Sequence, residues 1–583
     1  MKYCITLAQC HAHLIDVTLT LPATLHPIDL QMPVWTPGSY LVREYARHVQ
    51  SFSVCQANQP CVWTKTDKST WQIHPCGGDD PITVQYQVYS YELSVRTNHV
   101  DESHAFFNPA AVCMQRVGYT DSLPIQVVTP RHWQVATQLE LQGDVCHSVD
   151  SAVWTYCARD YDHLYDSPFE CGTHQMVRFL VADIPHEVAI WGHGNEDIAT
   201  LVRDIERIVV ATQQHFASVP YQRYLFILHL ADGMYGGLEH CNSTVCLCDR
   251  WGFVKPRDYE RVLGLITHEF FHTWNVKRIR PAPLGPFDYA HENYTRQLWL
   301  AEGVTSYYDN LIMCRAGLIT AQRYLDLLAQ DMSSVQRTPG RHLQSLAEAS
   351  FDAWIRYYRP DENSPNVSVS YYIKGAVVAF ALDMAVRQWS HGTRSLDDVM
   401  RLLEARYPLH LPGIPEDDTM VRLIGEVAGV PDAVVVPFFA EYIFGTRELD
   451  WDASCATVGL YPRWHLGDEP PVTIGAKLRQ DDARLVIASL TPGGPAQRAG
   501  LAPFDQIIAM NSSRVDATRF NARLHELSVG TNVDITYFRR DELRHCQVML
   551  EATRPTALVL QSVVTPSAMQ AQQYQQWLSM PLQ

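Results

Sequence analysis

The sequence predicts a multidomain α+β protein: an N-terminal β-rich domain, a mostly helical domain, and a small C-terminal α+β module. Three observations lead there. First, residues 1 to about 180 carry runs such as PITVQYQVYSYELSV (81–95), where polar and apolar residues alternate with the two-residue period of a half-buried strand. Pro and Gly punctuate these runs, as in VWTPGSYLV (34–42). Second, from about residue 200 the period lengthens. TLVRDIERIVVATQQHF (200–216) repeats apolar residues at helical spacing, and so do segments around 258–279, 295–313, 320–335 and 370–389. Third, short strands return at 472–552 (VTIGAKL, RLVIASL, DQIIAM, VDITYFRR, RHCQVML), around one amphipathic helix, TRFNARLHELS (518–528).

The expected domains are therefore 1–180 (β-rich), 181–450 (helical), a linker at 451–471, the module at 472–555, and a tail at 556–583. In the tail, SAMQAQQYQQWLSM (567–580) reads as one peripheral helix. The 583 residues suit three or four domains of roughly 150 residues each.

Charge narrows the function. Lys and Arg number 46 against 63 Asp and Glu, a formal charge of −17. Nucleic acid and anionic membrane surfaces both call for a basic face, so neither is expected as a partner. The first residues, MKYCITLAQCHAHLIDVTLTL, mix polar and apolar side chains and do not read as a leader. No run approaches the roughly 20 apolar residues that span a bilayer. A cytoplasmic location is the expectation. The 15 cysteines form no CxxC pair and read as reduced thiols, with Cys241, Cys246 and Cys248 as buried packing.

The chemistry concentrates in ITHEFFHTWN. On a helix, His268 and His272 share one face a turn apart, where two imidazoles can hold one tetrahedral Zn²⁺. Glu269, between them, is placed to take a proton from water activated by the metal. Thirty residues on, LWLAEGVTSYYDNLIM (298–313) is a second helix with Glu302 in an otherwise apolar first half. A carboxylate beside Trp299, Leu300 and Ala301 is unfavourable unless something compensates it, and a metal does. Two His and one Glu leave the fourth position open, as catalytic zinc requires. This is the gluzincin arrangement.

The run HEFFHTWNVKRIRPAPLGPFDYAHENYTRQLWLAEGVTSYYDNLIMCRAGLI (268–319), together with MPVWTPGSYLVREYARHV (32–49), closely resembles the glycyl aminopeptidase family of metallopeptidases. The resemblance extends over nearly the whole chain. It implies a β-rich first domain, a thermolysin-like catalytic domain, a C-terminal PDZ domain, and release of N-terminal glycine or alanine; the His268, Glu269, His272 and Glu302 pattern itself calls for one zinc ion per chain. By the same resemblance, GGLEH (236–240) corresponds to the edge strand that holds substrate in related aminopeptidases. Gly236 and Gly237 would admit the substrate backbone, and Glu239 would pair with its free α-ammonium. Leu238 and His240 depart from that element, which has Met and Asn there. Tyr372-Ile373-Lys374-Gly375 matches the family's Tyr-x-Lys-Gly pattern, which makes Tyr372 the phenol that steadies the oxyanion, with Tyr371 as its rival.

SLTPGGPAQRAGLAPFDQIIAMN (489–511) looks like the PDZ domains of bacterial proteases, with Phe504 standing where Gly is usual. IGAKL (474–478) matches the loop that receives a peptide C-terminus, unless the module merely packs on its neighbour. The expected function is zinc-dependent removal of N-terminal residues from peptides. Two other readings are an endopeptidase with the same zinc site and a non-catalytic PDZ scaffold. Glu239 argues against the first, and the complete metal and base set argues against the second.

Overall fold

In the computed structural model, which describes residues 1–482 and 484–582, the N-terminal alternation is realised as a sheet. Strand Leu14–Leu21 buries Ile15, Val17, Leu19 and Leu21 and turns the residues between them outward. It lies antiparallel to Lys2–Gln9 on one side and Ile82–Tyr89 on the other, within an eight-stranded sheet. Two four-stranded sheets share its core, which gathers Tyr3, Ile5, Val17, Ile73, Phe107 and Tyr165.

A five-stranded sheet follows, in the order Gln175–Val181, Ile184–Trp191, Tyr224–Ala231, Ser243–Asp249, Gly236–Glu239. Its middle three strands run parallel, and helix Ile198–Phe216 makes the crossover from Ile184–Trp191 to Tyr224–Ala231. Tyr224–Ala231 reads YLFILHLA, nearly continuous apolar sequence, because a parallel strand covered on both faces has no side for water. Gly236–Glu239 closes the sheet as an antiparallel end strand. The boundary expected at residue 180 therefore falls inside a hairpin. Gln175–Val181 pairs along its whole length with Ile184–Trp191, joined by Ala182 and Asp183 with φ of 48° and 64°. That is the left-handed two-residue turn a tight hairpin demands, built without the Asn or Gly that would have announced it.

These elements, with residues 308–319 and 400–417, make one compact unit; Arg296–Tyr307, Thr320–Val399 and Asp418–Gln583 make a second. The second holds helices Ala321–Arg337 and Ile373–Trp389, and a six-stranded sheet between residues 476 and 549 with helix Ala517–His525. Phe504 has φ +70°, so the backbone keeps the left-handed turn where glycine is usual.

Two expectations change here. The supposed linker 451–471 holds helix Trp451–Ala456 and strand Leu460–His465. That strand pairs antiparallel with Ala557–Ser562 from the expected tail, and Leu460, Leu558 and Leu560 are buried. The pair rests on helix Ala321–Arg337, where Ser333 Oγ accepts a hydrogen bond from the Leu558 amide at 3.0 Å. The tail helix Ala568–Leu578 is not peripheral either. Trp577 is fully buried, packs on Phe380, and donates through Nε1 to the Tyr307 hydroxyl at 2.8 Å. No helix among the described residues is long and apolar enough to cross a membrane.

Candidate active site

Helix Pro256–Phe271 starts with Pro at its first position, where the missing N–H costs nothing. Val262, Leu263, Ile266 and Phe270 anchor it to the core, so its remaining face orients His268 and His272. Each imidazole is oriented through Nδ1. His268 Nδ1 lies 3.2 Å from Asp309 Oδ2, and His272 Nδ1 lies 2.7 Å from the Asn275 carbonyl oxygen. Partners of this kind set the tautomer of a metal-bound histidine. The two Nε2 atoms are then turned toward one another, 3.1 Å apart. Two nitrogens each about 2.0–2.1 Å from a tetrahedral zinc ion stand about 3.3 Å apart, so the pair fits this ion.

Glu269, between the two histidines in sequence, is buried at 5% exposure. Ligand-capable atoms of Glu239, Glu269 and His272 all lie within 4.8 Å of one another. This places the expected base, one of the two histidines expected to hold the metal, and the acidic end of the edge strand together. Gly237 makes the approach possible: a Cβ there would stand 2.6 Å from Glu269 Cγ and overlap its carboxylate. Gly38, from the N-terminal domain, has φ +86°, and a Cβ there would lie 2.6 Å from both Glu239 oxygens. A backbone without a side chain thus covers Glu239 from the other direction.

Behind Glu239 lies a buried charge pair. Lys277 Nζ is 2.6 Å from Asp166 Oδ1, and the Cys241 amide donates to Asp166 Oδ2 at 2.8 Å. Burial opposes the charge on Asp166, but Lys277 and His240 outweigh it and hold the carboxyl well below its usual range. Lys277 in turn is carried above its usual value by Asp166, against burial. A cavity of about 660 Å³ adjoins Glu239, lined among others by Trp35, Tyr40, Phe287, Lys277 and Arg280.

In the second unit, Glu302 is 2% exposed and sits in a wide π turn, Trp299–Gly303, which opens helix Val304–Arg315. Such turns are frequent at functional sites. Gly303 crosses Gly375 so closely that a Cβ on Gly375 would stand 2.7 Å from the Gly303 Cα. That crossing brings the start of helix Ile373–Trp389 to the Glu302 turn. Burial, and then the Glu302 charge, raise the Tyr372 phenol well above its usual value, so it keeps its proton. Tyr371 is fully buried, its ring 4.8 Å from that of Tyr372. Burial also pulls the neighbouring Lys374 ammonium down to about 8.

Residues 2–173 match the M61 peptidase N-terminal domain, 261–378 the M61 glycyl aminopeptidase domain, and 472–550 a PDZ domain. A crystal structure of an aminopeptidase N family protein from Idiomarina loihiensis is similar over 99% of both chains, with 30% identity and a TM-score of 0.92. The chain belongs to the M61 glycyl aminopeptidase family. It is a metallopeptidase. The M1 zinc metallopeptidase of Deinococcus radiodurans is a remoter likeness, with 11% identity over 77% of this chain and 94% of that one and a TM-score of 0.49, too distant to bear on the chemistry. No curated protein sequence matched.

The M61 match contains His268, Glu269, His272, Glu302 and Tyr372, whereas Gly236, Gly237 and Glu239 fall between the matched segments. Sequence reasoning missed Asp309, Gly38, Asp166 and Lys277 in this M61 peptidase. Asp309 carried the best available signal, being seven residues after Glu302 on the same helix and hence two turns along the same face.

Proposed function

We propose that this M61 peptidase is a zinc aminopeptidase that removes small N-terminal residues, Gly and Ala first, from peptides in the cytoplasm. The observation that carries it is the convergence of Glu239, Glu269 and His272 at the end of an edge strand. His268, His272 and Glu302 are the residues that would hold one zinc ion per chain. Glu302 stands two turns before Asp309 on one helix, and Asp309 is bonded to His268. When bound, zinc supplies the Lewis acidity that lowers the pKa of water and polarises the scissile carbonyl.

Glu269 is the general base: it takes the proton of the attacking water and passes it to the leaving amine. Tyr372, held protonated, donates its O–H to the oxygen on which negative charge develops. Gly236 and Gly237 offer an edge strand to an extended substrate. Glu239 receives the α-ammonium, which restricts cleavage to the first residue. In the PDZ domain, Ala476–Asp481 is an end strand preceded by Gly475 at φ +70°, a place for a peptide C-terminus. Fifteen unpaired cysteines suit a reducing compartment.

The decisive assay compares Gly- and Ala-initiated peptides with their N-acetylated forms. Acetylation and Glu239→Ala should each lower kcat/KM by several hundred-fold, since breaking a buried charge pair costs about 3–5 kcal/mol. The two should not add, because they remove the same contact. Internal cleavage of acetylated peptides at comparable rates would replace this reading with the endopeptidase one.

A further inference from the structure

A second cluster of side chains able to hold a metal ion contains none of the residues assigned above. His104, on strand His104–Phe107, and Glu170, on Phe169–Gly172, are diagonal neighbours on one face of a four-stranded sheet. His229, on Tyr224–Ala231, meets them from the five-stranded sheet. The side chains of His104, Glu170 and His229 are all 0% exposed. We propose that His104, Glu170 and His229 form a buried site for a divalent first-row transition ion, zinc in the first instance.

The distances suit such an ion. His104 Nδ1 lies 3.1 Å from Glu170 Oε1, and His229 Nε2 lies 2.9 Å from Oε2. These are close to the roughly 3.3 Å that separates two ligands of a tetrahedral zinc ion. The atoms of His104, Glu170 and His229 all fall within 4.8 Å of one another.

The surroundings agree. The other ring nitrogen of His104 meets His99 Nδ1 at 3.0 Å, and Trp191 stacks on the ring at 3.6 Å. Metal-bound histidines are held through their second nitrogen in this manner. Imidazole and carboxylate donors, with no thiolate, point to zinc or a neighbouring divalent ion.

Full-length protein equilibrated with zinc and desalted would be assayed for metal by mass spectrometry. Two zinc ions are expected in the wild type and one in His272→Ala, which disables only the proposed catalytic site. The ion remaining in His272→Ala should show, by X-ray absorption, nitrogen and oxygen ligands at about 2.0 Å with imidazole scattering. It should disappear in His272→Ala/His229→Ala. If the double variant does not fold, the absorption spectrum of His272→Ala decides alone. Folded His272→Ala protein with no stoichiometric metal, or with metal in a non-imidazole environment, overturns the proposal. If the catalytic site is the one misread, wild type and His272→Ala hold the same single ion, so the two failures are distinguishable.

Discussion

Gly237→Ala tests the geometry most directly. A Cβ at this position would stand 2.6 Å from Glu269 Cγ, against 3.4 Å for ordinary contact, and would overlap the carboxylate. Its three nearest atoms all belong to Glu269. The Glu269 side chain must therefore yield by at least 0.8 Å (3.4 − 2.6) at Cγ and further at its oxygens. Misplacement of a reacting group by about 1 Å can cost about 10²-fold, and complete loss of a general base costs about 10²–10⁴-fold. The expected fall in kcat/KM thus lies in that range, about 3–5 kcal/mol at 1.4 kcal/mol per tenfold. Zinc content should be unchanged, because no metal-facing histidine is among the displaced neighbours. Gly236→Ala is the internal contrast. Its Cβ would point to the other side of the strand, with nothing nearer than the Arg96 guanidinium at 3.6 Å. The assay is steady-state hydrolysis of a Gly- or Ala-anilide, with metal content measured on the same samples. Gly237→Ala protein that keeps more than a tenth of wild-type kcat/KM, or that loses activity only by losing zinc, would refute the placement of Glu269 against the edge strand.

Three further outcomes are expected. Asp309→Ala, which removes the partner of His268 Nδ1, should weaken zinc affinity by about 10–100-fold in a chelator competition while leaving the fold intact. Tyr372→Phe should lower kcat far more than it shifts KM, and if Tyr371→Phe does so instead, the two phenols have been assigned in the wrong order. Lys374 has its pKa lowered by burial from 10.5 to about 8. The folded state therefore releases this proton before the unfolded state does, and stability should be lowest below about pH 8 and rise toward pH 10.5. Lys374→Met should abolish that rise and stabilise the protein at pH 7 by up to about 3 kcal/mol, read as thermal unfolding against pH.

What the sequence determined alone is what repeats locally. Alternation in residues 1–180 and helical spacing after 200 are set by which face of each segment meets water, so the fold class was legible before any tertiary contact. The His268–His272 pair was legible for the same reason, because one helical turn is enough to bring the two side by side. The linker was misread because strand Leu460–His465 finds its partner about a hundred residues away, at Ala557–Ser562, and six residues carry too little pattern to declare it. The tail helix was misjudged because its burial is decided by Trp577 meeting Phe380, not by its Gln-rich surface. Only tertiary structure showed why Gly237 and Gly38 are glycines: the atoms that exclude a side chain belong to Glu269 and Glu239, which are distant in sequence. The pairing of Asp166 with Lys277, 111 positions apart, has no local signature either. Patterns of period two or four advertise a face, whereas a charge pair or a missing methyl between remote segments leaves one unremarkable residue at each end.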